Sequence, residues 1–382
     1  MSPTILMNAG PWLPVPPQGY GGIETVVATL VPELRQQGFR VVLATVGTST
    51  LEADDYIRTL DGPQLPRVAQ PYNLVSGIAH AHMHTVTTAL DNGLQVDLVH
   101  DHLEVVGPAV LAAMGDQAPP TLQTLHWDLA KHPEFYTRFQ GRGRVCFAAV
   151  SQSQLARAPQ NLQDQTLGVV PLAAAAPTPV GDEALIEQGE HALVLARITS
   201  DKGQDIAARA CHAAGVPLVL AGPVAGIDDP HELERRLAEG DAQLAGHPDV
   251  RYFLDHVQPL LNDTDVRWVG AISGAAKERL LQSARVLLSP LRWAEPGATA
   301  VVEALTRGVP VVATPLGVLP SLVTHGKNGY LAQDETEMAL WLGKLDAIEA
   351  ETCRSSAARW TPRAMATSYV DLYRKLLEGT SS

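Results

Sequence analysis

The residues with the clearest chemical potential are two glutamates, Glu295 and Glu303, which lie eight positions apart. Pro296 and Gly297 suit a loop that enters a helix, so the backbone amides of residues 298–300 are predicted to lie unpaired at a helix N-terminus. Such amides bind phosphate without a cationic side chain. A glutamate in this helix can also accept hydrogen bonds from two vicinal hydroxyls. A lone glutamate at a helix start is most often a cap, but this spacing indicates a ligand that carries phosphate and hydroxyl groups.

A second group of candidate residues is cationic. Arg197 and Lys202 lie in a segment that follows a predicted strand and ends at Gly203. Parallel α/β proteins bind ligands at the carboxyl ends of their strands. There an Arg fork and a Lys point charge can neutralise phosphate oxygens. Taken alone, the segment is more simply interpreted as a solvated loop with two surface cations.

A third candidate is the glycine-rich loop before the first predicted helix, where Gly19, Gly21 and Gly22 precede Glu24. Glycines let the backbone approach a ligand closely. The loop matches neither of the common glycine-rich nucleotide-binding patterns, so as a lone motif it is weak evidence for a site.

The elements that position these residues follow an alternating pattern. Short β-branched runs alternate with longer helical patterns, which indicates parallel α/β layers. In the first half the sequence predicts one doubly wound sheet, with the helix Ile23–Gln37 after its first strand. The predicted strands of this half are Thr4–Asn8, Arg40–Thr45, Leu98–His100, Thr121–Leu125 and Phe147–Val150.

A second Rossmann-like series occupies the other half of the chain. Its predicted strands are His191–Ala196, Pro217–Ala221, Arg267–Gly270, Val286–Pro290 and Val309–Ala313. Its predicted helices are Gln204–Ala214, Lys277–Gln282 and Thr299–Arg307.

The segment Pro171–Gly189 between the two series is rich in small residues and proline, which favours a hinge. The sequence therefore predicts two domains, 1–175 and 176–361, which face each other across a cleft. The C-terminal segment 362–382, with a helix at Pro362–Leu377, is expected to cross back and pack on the first domain.

Composition excludes several classes of protein. The chain has 382 residues with 41 acidic and 28 Lys or Arg, a net charge of −13, so sequence-independent nucleic-acid binding is not expected. No apolar run approaches the roughly 18 residues that a membrane span needs. Three cysteines lie far apart, and the N-terminus lacks the pattern of a signal peptide. A cytoplasmic location is expected.

Four separated motifs, taken in order, resemble the family-4 retaining glycosyltransferases of the GT-B fold. They are Gly21-Gly22-Ile23-Glu24, Thr124-Leu125-His126, the segment Arg197 to Gly203, and Glu295-Pro296 with Glu303-Ala304. The resemblance covers nearly the whole chain. It implies the transfer of a sugar, with retention, from a UDP- or GDP-sugar to a sugar or small-molecule hydroxyl. No cofactor and no metal are implied, and the nucleotide sugar is a co-substrate.

The resemblance also implies roles for individual residues. Glu295 is expected to hold the hydroxyls of the donor sugar and Glu303 those of the ribose. Arg197 and Lys202 are expected to neutralise the diphosphate. The predicted catalytic residues are His126, which matches a histidine beside the reacting sugar, Glu295, Arg197 and Lys202. The predicted donor-binding residues are Gly21, Gly22, Arg197, Lys202, Glu295, Gly297, Ala298, Thr299 and Glu303.

The sequence departs from the family pattern in the loop after the first glutamate. The family usually has Glu-Pro-Phe-Gly-Leu, whereas residues 295–299 read Glu-Pro-Gly-Ala-Thr. Alternative functions on the same fold are a retaining phosphorylase, a sugar-nucleotide epimerase or a non-catalytic sugar-nucleotide-binding subunit. A hydrolase that uses the two glutamates is disfavoured, because that mechanism needs carboxyl groups about 5–5.5 Å apart and one glutamate is assigned to ribose.

The histidines also allow a metal interpretation. His80 and His84 would share a helix face, with His82 between them, and His100 and His102 form a second pair. No glutamate follows in the pattern of a hydrolytic zinc site, so we interpret them as ordinary helix and loop residues and predict no metal site. Trp127 and Trp293 are candidates for stacking on a sugar ring because they adjoin the motifs.

Overall fold

The computed structural model describes residues 2–67, 70–177, 189–262 and 264–380. The chain divides into two compact units. Unit 1 comprises Met1–Ala173 together with Pro362–Ser382, and unit 2 comprises Ala174–Thr361. The central part of the predicted hinge, 178–188, lies outside the described residues.

Unit 1 contains a seven-stranded parallel sheet in the order β3-β2-β1-β4-β5-β6-β7. The five strands predicted from the sequence are present, and two short edge strands, β3 and β7, flank them. The strands are β1 (Thr4–Asn8), β2 (Arg40–Thr45), β3 (Asp55–Arg58), β4 (Leu98–Asp101), β5 (Thr121–Leu125), β6 (Val145–Ala149) and β7 (Thr166–Val169).

Helices cover both faces of this sheet, because the strands are apolar on both sides. Ile5 and Met7 of β1 pack into one core cluster and Leu6 into another, as the alternation of side chains along a strand requires. The helices before the linker are α1 (Gly22–Gln36), α2 (Tyr72–Asp91), α3 (Val106–Ala113), α4 (Pro133–Arg138), α5 (Gln152–Leu155) and α6 (Gln160–Asp164), with 3₁₀ turns at Leu65–Arg67, Gly115–Gln117 and Leu129–Lys131.

Unit 2 contains a six-stranded parallel sheet in the order β10-β9-β8-β11-β12-β13. All five strands predicted for this half are present with shifted ends, and the sequence does not predict the short edge strand β13. The strands are β8 (Ala192–Leu195), β9 (Leu218–Ala221), β10 (Val266–Trp268), β11 (Val286–Ser289), β12 (Val311–Ala313) and β13 (Gly329–Leu331).

This second sheet is also buried on both faces. Val194 and Leu288 belong to one core cluster, whereas Leu193 and Leu287 belong to the other. The helices are α7 (Gln204–Ala214), α8 (Pro230–Ala238), α9 (Ala242–Ala245), α10 (Pro248–Tyr252), α11 (Gly274–Gln282), α12 (Thr299–Thr306), α13 (Leu319–Leu322), α14 (Glu335–Leu342) and α15 (Ala350–Ala357). Short turns lie at Ser200–Lys202, Phe253–Val257, Gln258–Leu260 and Leu345–Ala347.

The last helix, α16 (Pro362–Thr380), belongs to unit 1 although it follows unit 2 in the chain. Its residues Tyr369 and Tyr373 are fully buried and share a core cluster with Val27 and Leu30 of α1. Gly168 of β7 makes room for it, because an added Cβ there would lie 3.0 Å from Leu372 Cδ2.

Candidate active site

The candidate residues of unit 2 follow two neighbouring strands. β8 and β11 pair directly at the centre of the sheet, and chain order reverses between them. Arg197 and Lys202 come after β8, and Glu295 comes after β11. The carboxyl ends of the two strands at such a reversal are the usual ligand-binding point of a doubly wound sheet. Strand order therefore brings together motifs that lie far apart in sequence.

Gly203 lets the loop after β8 pack against the end of β11. It precedes α7 with φ +69°, in the left-handed region that favours glycine. A Cβ at this position would lie only 2.0 Å from the carbonyl oxygen of Pro290. The family's Lys-Gly pair therefore has a steric reason in this chain, because any side chain would separate the two loops.

Lys202 and Glu295 form an ion pair at this point. Lys202 Nζ donates a hydrogen bond to Glu295 Oε2, and both side chains are largely buried, with 17% and 15% of their surface exposed. The Lys202 ammonium also lies 5.2 Å from the ring centroid of Trp293, within the range of a cation–π contact. Arg197 is exposed at the start of the same loop. The structure thus pairs Lys202, the residue predicted to bind phosphate, with Glu295, the residue predicted to bind the donor sugar.

A network that sequence reasoning missed fixes this loop. Arg292 donates two hydrogen bonds to Asp205, of 2.8 and 2.7 Å, and a third to the carbonyl oxygen of Ser200 at 2.8 Å. Tyr252 donates a further hydrogen bond to Asp205 at 2.6 Å. Burial alone would raise the pKa of Asp205, but the hydrogen bonds from Arg292 and Tyr252 outweigh it and hold the pKa well below its ordinary value. The only sequence signal for Arg292 is its position next to Trp293.

The helix α12 begins at a strained residue. Ala298 has φ 47° and ψ 53°, the left-handed conformation that costs an L-residue about 1–2 kcal/mol. It occupies the place of the glycine in the family's Glu-Pro-Phe-Gly-Leu pattern, so the backbone geometry explains that glycine. Within the described part of the chain, the backbone amides of Gly297, Ala298 and Thr299 donate no hydrogen bond to the protein. These amides are free to bind an anion.

Glu303 lies one helical turn further along α12 and pairs with a residue of α11. Lys277 Nζ donates to Glu303 Oε1 at 2.8 Å. A neighbouring ion pair also connects the end of α12 to α11. Arg307 donates two hydrogen bonds to the Glu278 carboxylate, of 2.8 and 2.5 Å, and both side chains are less than 10% exposed. Glu303 therefore makes its ion pair with α11, whereas Glu295 pairs with the loop after β8. The sequence predicts Lys277 only as the first residue of a helix.

The glycine loop of unit 1 has a steric requirement at one position. Gly21 is extended, with φ 172°, and a Cβ there would lie 2.5 Å from Pro17 Cβ. A Cβ on Gly22 would meet nothing within 4 Å. Glu24 is buried just inside α1, and burial raises its pKa to about 7. Gly21 therefore shapes the loop, and Gly22 leaves open space at the start of α1.

His126 follows β5 in unit 1 and contacts another histidine. Its Nε2 lies 2.8 Å from Nδ1 of His102, which follows the neighbouring strand β4. Trp127 packs edge-on against the His126 ring, with centroids 5.8 Å apart. Burial lowers the pKa of His126 to about 3, so the ring is neutral at physiological pH.

The histidines considered as metal ligands have other partners. His82 is buried, with Nε2 2.6 Å from Asn8 Oδ1 and Nδ1 2.7 Å from Thr59 Oγ1. His80 is exposed and contacts the carbonyl oxygen of Ser76. Among the described residues no three His, Cys, Asp or Glu side chains are grouped as a metal would require.

Two family models match the chain. The model for group 1 glycosyl transferases matches residues 181–365, and the model for glycosyltransferase family 4 matches residues 20–161. The two models together identify the chain as a GT-B glycosyltransferase similar to family 4. The family resemblance, the fold class and the enzyme class predicted from the sequence are thereby confirmed.

Solved structures of glycosyltransferases resemble the whole chain. AviGT4, a glycosyltransferase involved in avilamycin A biosynthesis, is 25% identical over 98% of each chain, with a TM-score of 0.64. Sucrose-phosphate synthase from Thermosynechococcus elongatus is 20% identical over 100% of each chain, with a TM-score of 0.72. HepE from Anabaena, solved in complex with UDP and glucose, is 17% identical over 97% of this chain and 99% of its own, with a TM-score of 0.63.

No curated protein sequence matches the chain. Among the described helices, none combines the length and the apolar composition that crossing a membrane requires.

Proposed function

We propose that this glycosyltransferase moves a sugar from a nucleotide diphosphate sugar to a hydroxyl acceptor, with retention of anomeric configuration and without a metal ion. The observation that carries the proposal is the contact of Lys202 with Glu295 in the loop that leads into α12. A cation, a carboxylate and free helix amides together can bind a sugar diphosphate. The cation and the amides bind phosphate oxygens, and the carboxylate accepts hydrogen bonds from sugar hydroxyls.

The leaving group sets the main electrostatic demand. The anomeric C–O bond breaks with its electron pair on the diphosphate, and the sugar becomes oxocarbenium-like. The acceptor oxygen forms the new bond to the anomeric carbon, and its proton passes to the departing diphosphate. Catalysis then requires groups that bind the departing anion more tightly in the transition state than in the ground state. Lys202 keeps two of its three N–H donors after the bond to Glu295. Those donors, together with Arg197 and the α12 amides, are proposed to stabilise the departing diphosphate in place of a metal ion.

Glu295 is proposed to hold the donor sugar. Its contact with Lys202 uses Oε2, so the carboxylate keeps acceptor capacity for a sugar hydroxyl. A hydrogen bond from the sugar to a fixed carboxylate can strengthen as positive charge develops on the ring.

Glu303 is proposed to bind the ribose. Its carboxylate lies on α12, whose start supplies the free amides, so ribose and phosphate would contact one continuous segment of chain. Lys277 bonds one oxygen of this carboxylate and limits its orientation. Two vicinal ribose hydroxyls can donate to the remaining acceptor sites.

UDP and GDP are the proposed nucleotides. Structures of HepE contain UDP or UDP-glucose, which supports UDP as the first nucleotide to test. The roles of Gly21, Gly22 and His126 beside the donor rest on the family resemblance, because these residues belong to unit 1. A cytoplasmic location is proposed from the three cysteines, none of which forms a disulfide.

A thermal-shift screen tests the proposal. UDP, GDP and their glucose, galactose and mannose derivatives are added to the wild-type protein and to Lys202→Met. A ligand at 100 times its Kd stabilises the folded state by about 2.7 kcal/mol, so at least one nucleotide sugar should raise Tm in the wild type and less in the variant. Lys327→Met, which removes an exposed lysine of the same unit, serves as the control. No shift with any nucleotide or nucleotide sugar would contradict the proposal.

A further inference from the structure

His102 is buried, and its side chain makes one hydrogen bond to the described residues. It is 1% exposed, and its Nδ1 lies 2.8 Å from Nε2 of His126. Its other ring nitrogen, Nε2, is also buried and has no hydrogen-bond partner among the described residues. Among the described residues, the one hydrogen-bond partner of the His102 side chain is therefore His126, a predicted catalytic residue.

The ring of His102 is held in place from behind. The ring of His100 packs on it, with centroids 4.2 Å apart. His100 Nδ1 lies 2.7 Å from the Tyr373 hydroxyl, and its Nε2 lies 2.8 Å from Thr124 Oγ1. Thr124 donates in turn to the Tyr369 hydroxyl at 3.0 Å. Because both tyrosines come from α16, this helix fixes the position of the stacked His100 and His102 rings through hydrogen bonds to His100 and Thr124.

The direction of the Thr124 hydrogen bond sets the roles of the two His100 nitrogens. Thr124 uses its proton toward Tyr369, so Thr124 Oγ1 accepts from His100 Nε2–H. The Nδ1 of a neutral His100 then accepts from the Tyr373 hydroxyl. His100 is satisfied on both nitrogens and does not compete for His126.

The proton of His102 is placed by its unpartnered nitrogen. Burial, with the neighbouring His100, holds the pKa of His102 well below its ordinary value, so the ring carries one proton. If that proton were on Nε2, a buried N–H would lack an acceptor, which is rare in proteins. With the proton on Nδ1, His102 donates to His126 Nε2 and only a lone pair is left unmatched. His126, also neutral, must then carry its own proton on Nδ1.

We propose that His102 is a positioning residue that fixes His126 as its Nδ1–H tautomer. His126 then presents an N–H donor from the nitrogen that His102 does not occupy. The complementary ligand group is a hydrogen-bond acceptor oxygen of a bound substrate. This catalytic consequence rests on the proposed function, whereas the tautomer is a property of the unliganded protein.

Nitrogen-15 NMR of the imidazole rings tests the tautomer directly in the full-length protein. A protonated ring nitrogen resonates far from an unprotonated one, and the signals of His126 are identified by their loss in His126→Asn. We expect the proton on Nδ1 of His126 in the unliganded wild type. A His126 with its proton on Nε2 would overturn the inference, whatever the enzyme's activity.

Two variants of His102 test its positioning role. His102→Asn keeps a side-chain N–H donor near the position of Nδ1, and His102→Leu removes it. We expect His126 to keep the Nδ1–H tautomer in His102→Asn and to become a mixture in His102→Leu. The kcat of His102→Leu should fall by about 10- to 100-fold, as expected when a catalytic group is misplaced, with partial rescue in His102→Asn.

The exposed His84→Asn is the matched control and should change neither the tautomer nor kcat. Equal kcat in wild type and His102→Leu would overturn the positioning role. The two proposals fail separately: a protein with the expected tautomer that binds no nucleotide sugar would contradict only the proposed function.

Discussion

Lys202 and Glu295 are 93 positions apart in sequence and share a hydrogen bond. They meet because β8 and β11 are neighbours in the sheet and each residue lies beyond the carboxyl end of its strand. A cationic group expected to bind phosphate thus stabilises the carboxylate expected to bind sugar.

Loss of the ammonium should impair catalysis more than folding. Lys202→Met keeps an apolar stem against Trp293 and removes the charge. The expected loss in kcat/KM corresponds to about 3 kcal/mol, the cost of deleting a preorganised donor to a developing anion. Arg197→Met should act in the same direction. Steady-state kinetics with Lys327→Met as control provide the measurement, and wild-type rates in both variants would show that the diphosphate binds elsewhere.

Substitutions of Glu303 and Glu295 should have different effects on ligand binding and on turnover. Glu303→Gln should weaken binding of free nucleotide diphosphate as well as of the donor, because both ligands carry the ribose. Glu295→Gln should leave the nucleotide diphosphate nearly unaffected and lower kcat with the intact donor, because only the donor carries the sugar. Calorimetric titration and steady-state kinetics of both variants measure these effects. An equal loss of nucleotide affinity in the two variants would contradict this division of roles.

The strained start of α12 should be relieved by glycine. Ala298→Gly removes the Cβ at φ 47° and should raise the free energy of unfolding by about 1 kcal/mol. Ala300→Gly, two residues further on and inside the helix, should lower it by about 1 kcal/mol. Denaturant unfolding of both variants decides between these signs. Two changes of the same sign would show that the left-handed conformation of Ala298 costs little.

The Arg292–Asp205 pair should make stability depend on pH. Arg292→Leu leaves a buried carboxylate short of donors and should cost about 2 kcal/mol at neutral pH, less than a fully buried pair because Arg292 is partly exposed. The folded pKa of Asp205 lies below its ordinary value of 3.8. Its contribution is therefore present above that value and is lost as pH falls through the folded pKa.

The difference in unfolding free energy between wild type and Arg292→Leu should accordingly be largest at neutral pH. It should shrink as pH falls from the folded pKa of Asp205 in the variant to its lower folded pKa in the wild type. Chemical denaturation across this range measures it. A difference that grows on acidification would have the wrong sign for a carboxylate whose pKa the fold depresses.

Chelation tests the proposed absence of a metal. If Lys202, Arg197 and the α12 amides bind the leaving diphosphate, activity should persist after exhaustive treatment with EDTA. Initial rates before and after treatment are the measurement. Activity that disappears and returns only with Mg²⁺ or Mn²⁺ would contradict metal-free catalysis.

The sequence predicts the strands that carry the motifs, because buried parallel strands form continuous apolar runs. It predicts the edge strand β10 but not the edge strands β3, β7 and β13. β3 has a charged residue at each end, Asp55 and Arg58, and β13 has only three residues. Such segments become strands through their neighbours in the sheet, and local composition does not reveal them.

For the candidate site, too, the sequence predicts some features and not others. The chemical type of Glu295, Glu303 and Lys202 could be inferred from motifs, but their partners could not. Lys277 and Arg292 act through contacts that depend on the packing of α11 and of the loop after β11. The bond from His102 to His126 likewise depends on the pairing of β4 with β5.

The return of α16 to unit 1 has a consequence for biosynthesis. A growing chain emerges from the ribosome N-terminus first, and domains commonly fold in that order. Here unit 2 is complete once Thr361 has emerged, whereas unit 1 still lacks the helix that carries Tyr369 and Tyr373. The first unit to be synthesised is thus the last to finish folding, and a chain that stops short of α16 leaves the apolar face of α1 uncovered.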